Sequence, residues 1–259
     1  MKYILEYNCK KYSDIDLIET FYQLGIKNGD ILCVHVQLFK FGKPLLPRNE
    51  FLQTILECFF EAIGKDGTLI MPTFTYNFCK NKIYNKQESK SEVGILTEYF
   101  RKLKNVQRTN DPIFSFAIKG SNQKIFLKNT TSCFGKNSVY DILVKKNGKY
   151  MIFGSNEGHA LVHYVEEKNK TFCRYFKNFK GLIVDKHNKK NININYYVRD
   201  LKLSYACDIY KIRNIVNKIK SYSKKEFAGD TIEIYNSKEY VQAINQKLTN
   251  DKLAIYKKF

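Results

Sequence analysis

ILCVHVQLFKFGKPLLPRNEFLQTILECFFEAIGKDGTLIMPTFT, residues 31–75, is the stretch on which the fold turns. "ILCVHVQL" (31–38) follows the turn "KNGD" and is rich in β-branched and apolar residues, as a buried strand is. Phe51, Leu52, Ile55, Leu56, Phe59, Phe60 and Ile63 then recur at helical spacing, which predicts an amphipathic helix over 50–63. "GKDG" ends the helix, and "TLIMPTFT" (68–75) is the next strand, with Pro72 marking its end or a bulge.

The alternation continues outward. Helices are predicted over 91–103, 138–146 and 159–169, and strands over "PIFSFAIKG" (112–120) and "GKYMIFG" (148–154). Residues 179–201 form two strands around a polar Lys/Asn turn, a hairpin. A long basic helix (208–223), a strand "DTIEIY" (230–235) and a last helix (237–248) close the chain. The lysine-rich segment 79–91 is read as a surface loop. Strand–helix alternation followed by a hairpin predicts an α/β fold: a layered mixed β-sheet flanked by helices, in a single domain over 1–259.

Composition narrows the class. The chain has 259 residues, 44% of them hydrophobic and 15% aromatic, enough to bury a core. No apolar run has the length of a bilayer span, and "MKYILEYNCKKYSD" breaks into charge too early for a secretory segment, so the expected location is cytoplasmic, with no membrane partner. Seven scattered cysteines contain no CxxC pair, which argues against a disulfide framework or a cysteine-rich zinc site. The net charge of +19 suits an anionic ligand and disfavours a polycationic one. Much of that lysine also fits a chain rich in Lys, Asn, Ile and Tyr for compositional reasons. No nucleic-acid motif is present, and the aromatic residues hold core-like positions, so nucleic acid is not an expected partner.

The chemistry concentrates in "GSNEGHALVHYVEEKNKTFCRYFK" (154–177). His159 and His163 are four apart and share a helix face; Glu166 lies three beyond His163. A zincin helix needs glutamate directly after its first histidine, and here that residue is Ala160. Two readings remain open from spacing: a histidine general base steadied by a carboxylate, or a solvated helix face with a satisfied histidine.

Seven blocks occur in order: "LGIKNGDILCVHVQLFKFG", "DGTLIMPTFTY", "EVGILTEYFRK", "VQRTNDPIFSFAIKG", "SCFGKNSVYDIL", "GHALVHYVEE" and "CRYFKNFKG". Together they resemble the antibiotic acetyltransferase family, the aminoglycoside 3-N-acetyltransferases and their relatives, from about Leu17 to Leu248. The resemblance implies an α/β fold distinct from the GNAT acetyltransferases, acetyl-CoA as co-substrate and no metal. It places the family's base, from the block LHxxE, on His163, with Glu166 as the matching glutamate. It also implies coenzyme contacts at Gln37, Arg108, Thr109 and Ser138. A route through a cysteine nucleophile would fall to Cys173, but direct transfer to a thioester needs none.

Three positions depart from the resistance-enzyme pattern: Gln37 stands where a serine is usual, Asp111 where a histidine is, and Ala160 where a threonine is. These departures are more similar to the branch linked to surface-sugar biosynthesis. The expected activity is therefore N-acetylation of a nucleotide-linked amino sugar, for example dTDP-linked, with an aminoglycoside 3-N-acetyltransferase as the alternative. Arg174 and Lys177 are the expected diphosphate or coenzyme contacts. Asp111 is expected to meet the acceptor's ammonium or a hydroxyl, or to form the turn before Pro112, and His159 to line the site. A homodimer suits so compact an enzyme.

Overall fold

In the computed structural model, residues 1–154 and 158–259 are described; the turn expected after the strand "GKYMIFG" falls partly on 155–157, outside the described residues. A seven-stranded mixed sheet runs through the molecule. At its centre Ile31–Val36 pairs in parallel with Thr68–Pro72 on one side and Lys149–Phe153 on the other. Antiparallel strands extend both flanks: Phe116–Gly120 and then Gln107–Arg108 beyond Thr68–Pro72, and Asp230–Asn236 and then Ser223–Phe227 beyond Lys149–Phe153.

Side-chain alternation sends successive residues of each strand to opposite faces, and each face carries its own core. Leu32, Val34, Met71, Met151 and Phe153 face one way, onto the helices Asp14–Gln23 and Arg48–Ile63. Cys33, Ile70, Ile118, Tyr150 and Ile152 face the other, onto Val139–Lys145, Val162–Asn169 and Ser237–Asn250. The helix Arg48–Ile63 buries the expected apolar stripe, although Phe60 is only half-buried, and ends at Gly64, whose φ of 64° lies in the left-handed region. Gly120 marks a tight crossing: at φ 138° an added Cβ would lie 2.2 Å from the Gly67 carbonyl oxygen.

Several expectations are corrected. The strand over 112–120 begins only at Phe116, because Asp111 caps a turn through Pro112 to Phe114. The helix over 91–103 shrinks to Ile95–Phe100, and that over 159–169 starts at Val162. The basic helix stops at Val216, and Ser223–Phe227 is an edge strand whose exposed lysines suit an unpaired edge. The segment 79–91 is more than a loop: Ile83–Asn85 pairs in parallel with the hairpin, and Tyr84 is fully buried. The hairpin itself is longer than expected, with Arg174–Asp185 against Asn188–Arg199 in unbroken register. A short pair, Tyr205–Cys207 with Tyr256–Lys258, went unread because three-residue strands have no periodicity to detect. Among the described residues no helix is long and apolar enough to cross a membrane.

Candidate active site

The strand Ile31–Val36 ends beside a cleft of about 410 Å³. Its walls come from that strand's end (His35, Gln37), from Phe74 and Tyr76, from Phe114, from the helix approach and first turn (His159, Ala160, His163), and from Tyr196 and Cys207. The site thus gathers where the parallel strands end, as in other α/β folds.

His163 sits in the first turn of Val162–Asn169, its side chain 26% exposed. Its Nδ1 lies 2.5 Å from Glu166 Oε2, one helical turn on. A lone pair facing an ionised carboxylate at that distance would be repelled, so Nδ1 carries the proton and donates it to Glu166. Nε2 is then left with its lone pair, the atom a base needs. Burial lowers the proton affinity of His163, the positive charge of Arg174 lowers it further, and the hydrogen bond to Glu166 opposes both. The net direction is downward from 6.5, so the ring is neutral at pH 7.

Glu166 is fully buried, and its other oxygen is equally committed. Tyr256 donates its hydroxyl to Oε1 at 2.8 Å, Cys207 its thiol at 3.3 Å, and Arg174 Nε approaches Oε1 to 2.7 Å as an ion pair. Burial alone would raise this carboxyl; the His163 and Arg174 interactions outweigh it and bring it down to about 2. Arg174 also places NH2 3.1 Å from His163 Nδ1 and donates NH1 to the Tyr197 carbonyl. His163, Glu166 and Cys207 could by spacing form a metal trio, but the Arg174 guanidinium already stands against two of them, and its charge opposes a bound cation.

The remaining residues singled out in the sequence divide. Gln37 and His159 line the cleft. His159 is buried, its ring stacked on Tyr240 and its Nδ1 3.4 Å from that hydroxyl; burial and then the Arg213 charge take its pKa down to about 3. The structure does not bring Arg108, Thr109, Ser138, Asp111 or Lys177 to the cleft. Arg108 is buried over the Tyr84 ring and donates to Thr73 and to the Ser89 carbonyl. Thr109 accepts from the Phe116 backbone. Asp111 accepts from the Ile113 and Phe114 amides, so its turn-forming reading describes where it sits; burial outweighs those bonds and raises its pKa to about 6. Lys177 lies exposed on the hairpin over Phe179. Arg174, expected at a diphosphate, faces inward onto Glu166. Cys173 is buried, and burial raises its thiol pKa, the opposite of an activated nucleophile.

Ser138 is the N-cap of Val139–Lys145 and accepts from the Asp141 amide. Ser138→Ala should therefore cost about 1 kcal/mol of stability in a denaturant titration and leave CoA affinity unchanged. A tenfold loss of CoA affinity would restore the coenzyme role.

Sequence reasoning missed His35, Tyr196, Cys207 and Tyr256. His35 is buried against Tyr140, Nε2 to hydroxyl 3.2 Å, and burial lowers its pKa to about 3. His35 stands two residues before Gln37 but inside an apolar strand, where it reads as core. Tyr196, Cys207 and Tyr256 lie more than ten residues from any site residue singled out in the sequence.

With this geometry in view, the comparisons with known proteins agree on one family. A family profile of aminoglycoside 3-N-acetyltransferase matches residues 33–249. The fold is similar to that of AAC-IIIb in its binary complex with CoASH, with TM-score 0.76 and 14% identity over 92% of this chain and 97% of that one. It is similar to AAC-VIa bound to sisomicin, with TM-score 0.79 and 16% identity over 92% and 98%. YokD from Bacillus subtilis gives TM-score 0.74 and 15% identity over 93% and 100%. At these identities the structures attest the fold, and the profile, which spans most of the chain, attests the family. The chain belongs to the aminoglycoside 3-N-acetyltransferase family.

Proposed function

We propose that the protein transfers an acetyl group from acetyl-CoA directly to the amino group of an amino sugar, with His163 as general base. The observation that carries this reading is the 2.5 Å contact of His163 Nδ1 with a buried, ionised Glu166, on a ring that opens onto the cleft. An amine attacking a thioester must shed a proton as the C–N bond forms. His163 Nε2 takes that proton, and Glu166 stabilises the imidazolium that results. The proton then leaves with the departing CoA thiol or to solvent, which returns the base to its neutral form. Family membership and the likeness to a CoASH-bound fold support the donor.

The acceptor is inferred from the walls. Among the described residues the cleft lining contains no carboxylate; it presents Phe74, Tyr76, Phe114 and Tyr196 instead. Such faces suit the apolar side of a sugar or a nucleobase, and the +19 net charge disfavours a polycation. The favoured acceptor is a nucleotide-linked amino sugar, for instance dTDP-linked, of the kind used to build surface glycans. The second reading, an aminoglycoside acceptor, is supported by the family description and by the similarity to a sisomicin-bound enzyme. Release of CoA can be followed with acetyl-CoA and a panel of dTDP- and UDP-linked amino sugars beside sisomicin and gentamicin. A nucleotide-linked sugar should exceed every aminoglycoside at least about tenfold in kcat/KM, a 1.4 kcal/mol preference. The reverse order would establish the second reading.

A further inference from the structure

We propose that Arg174 and Tyr256 are positioning residues that set the tautomer and proton affinity of His163 through Glu166, Tyr256 being delivered by the strand pair near the C-terminus. The proposal rests on His163 as the base and assigns what controls it.

A carboxylate torsion is broad and roughly two-fold, so a glutamate bonded to histidine alone could turn its oxygens away. Glu166 cannot turn freely, because groups from three separate elements hold Oε1. Arg174 comes from the first hairpin strand, Cys207 from Tyr205–Cys207, and Tyr256 from Tyr256–Lys258. With Oε1 so engaged, Oε2 stays on Nδ1, and the proton stays on the nitrogen facing away from the acceptor. Tyr256 lies beyond the residues matched by the family profile, 90 positions from Glu166. The pairing of Tyr205–Cys207 with Tyr256–Lys258 is what closes that distance.

Arg174 has a second effect. A buried carboxylate beside an imidazole favours the imidazolium, and an imidazolium cannot accept the amine's proton. The guanidinium, 3.1 Å from Nδ1, balances that carboxylate and keeps the ring neutral. The other groups facing His163 supply no rival charge. The Phe134 ring lies 5.4 Å away, Cys207 is a thiol raised by burial, and Glu167 turns aside to donor Ser132. His35 and His159 are buried and neutral.

The test is an imidazole-nitrogen NMR titration of the full chain, with His163 assigned by His163→Gln, in wild type, Arg174→Gln, Arg174→Lys and Tyr256→Phe. Wild type should show the neutral Nδ1–H form at pH 7. Arg174→Gln should raise the proton affinity of His163 about tenfold or more, and Arg174→Lys should restore most of the difference. Tyr256→Phe should raise it severalfold and admit the other tautomer, with the His159 signal unmoved as a control of the fold. His163 titrating as in wild type in both Tyr256→Phe and Arg174→Gln would overturn the proposal. Should Arg174→Gln not fold, Tyr256→Phe decides it by the same criterion. The readout needs no acceptor, so an inactive wild type with these shifts intact would refute the acetyl-transfer reading alone. Where turnover is measurable, the acid limb of kcat/KM should move to higher pH in the same variants.

Discussion

His163→Ala should lower kcat for acetyl transfer by a factor of about a hundred to ten thousand, with KM for either substrate changed far less. The alanine removes the imidazole, both the atom that receives the proton and the Glu166 partner, while the other lining residues of the cleft keep their side chains. The deficit should narrow at alkaline pH, where the amine arrives already deprotonated and hydroxide can serve. In wild type the opposite limb is informative. Because burial and Arg174 lower the proton affinity of His163, the base stays neutral below its usual 6.5. There kcat/KM, once referred to the free-amine fraction of the acceptor, should hold before falling at lower pH. A variant within threefold of wild type across this range would remove His163 from the reaction.

Glu166→Ala should have the largest effect on stability, about 3–5 kcal/mol. The side chain is fully buried, and its loss strands the Arg174 guanidinium, itself only 8% exposed, together with the hydroxyl of Tyr256. A chain of this size should lose about 2–4 °C of Tm per kcal/mol. The pH dependence supplies a separate signature. The folded-state pKa of Glu166 is depressed to about 2 from 4.5, so its stabilisation is present above 4.5 and is lost as pH falls through 2. Wild type should therefore weaken across that window more steeply than Glu166→Ala does. A loss below 1 kcal/mol in thermal unfolding, with equal acid slopes, would show that the buried cluster does not brace the fold.

The layered sheet was legible because the parallel strands are nearly all apolar and the helix 48–63 repeats its apolar residues without interruption. Asp111 and Pro112 hid a turn inside an apolar run, and the isoleucines of 208–223 imitated a longer helix than the chain forms. The His163–Glu166 pair was legible for a simple reason: partners three apart on a helix meet by local geometry. Arg174 was misplaced because its direction depends on how the hairpin leans against the helix, which no spacing encodes. Tyr256 and Cys207 were invisible because they come from a two-stranded contact of three residues each.

The two faces of the sheet also bear on how such a protein can change over generations. Along 31–35 and 149–153, every second side chain looks toward the half of the molecule that holds the cleft, while its neighbours look toward the helices Asp14–Gln23 and Arg48–Ile63, which contribute no residue to the cleft lining. The backbone layer between them acts as insulation. Substitutions that reshape the acceptor side need not disturb the packing behind it, and stabilising changes can accumulate behind the sheet without touching specificity. One scaffold can in this way drift from one amine to another while its foundation stays put.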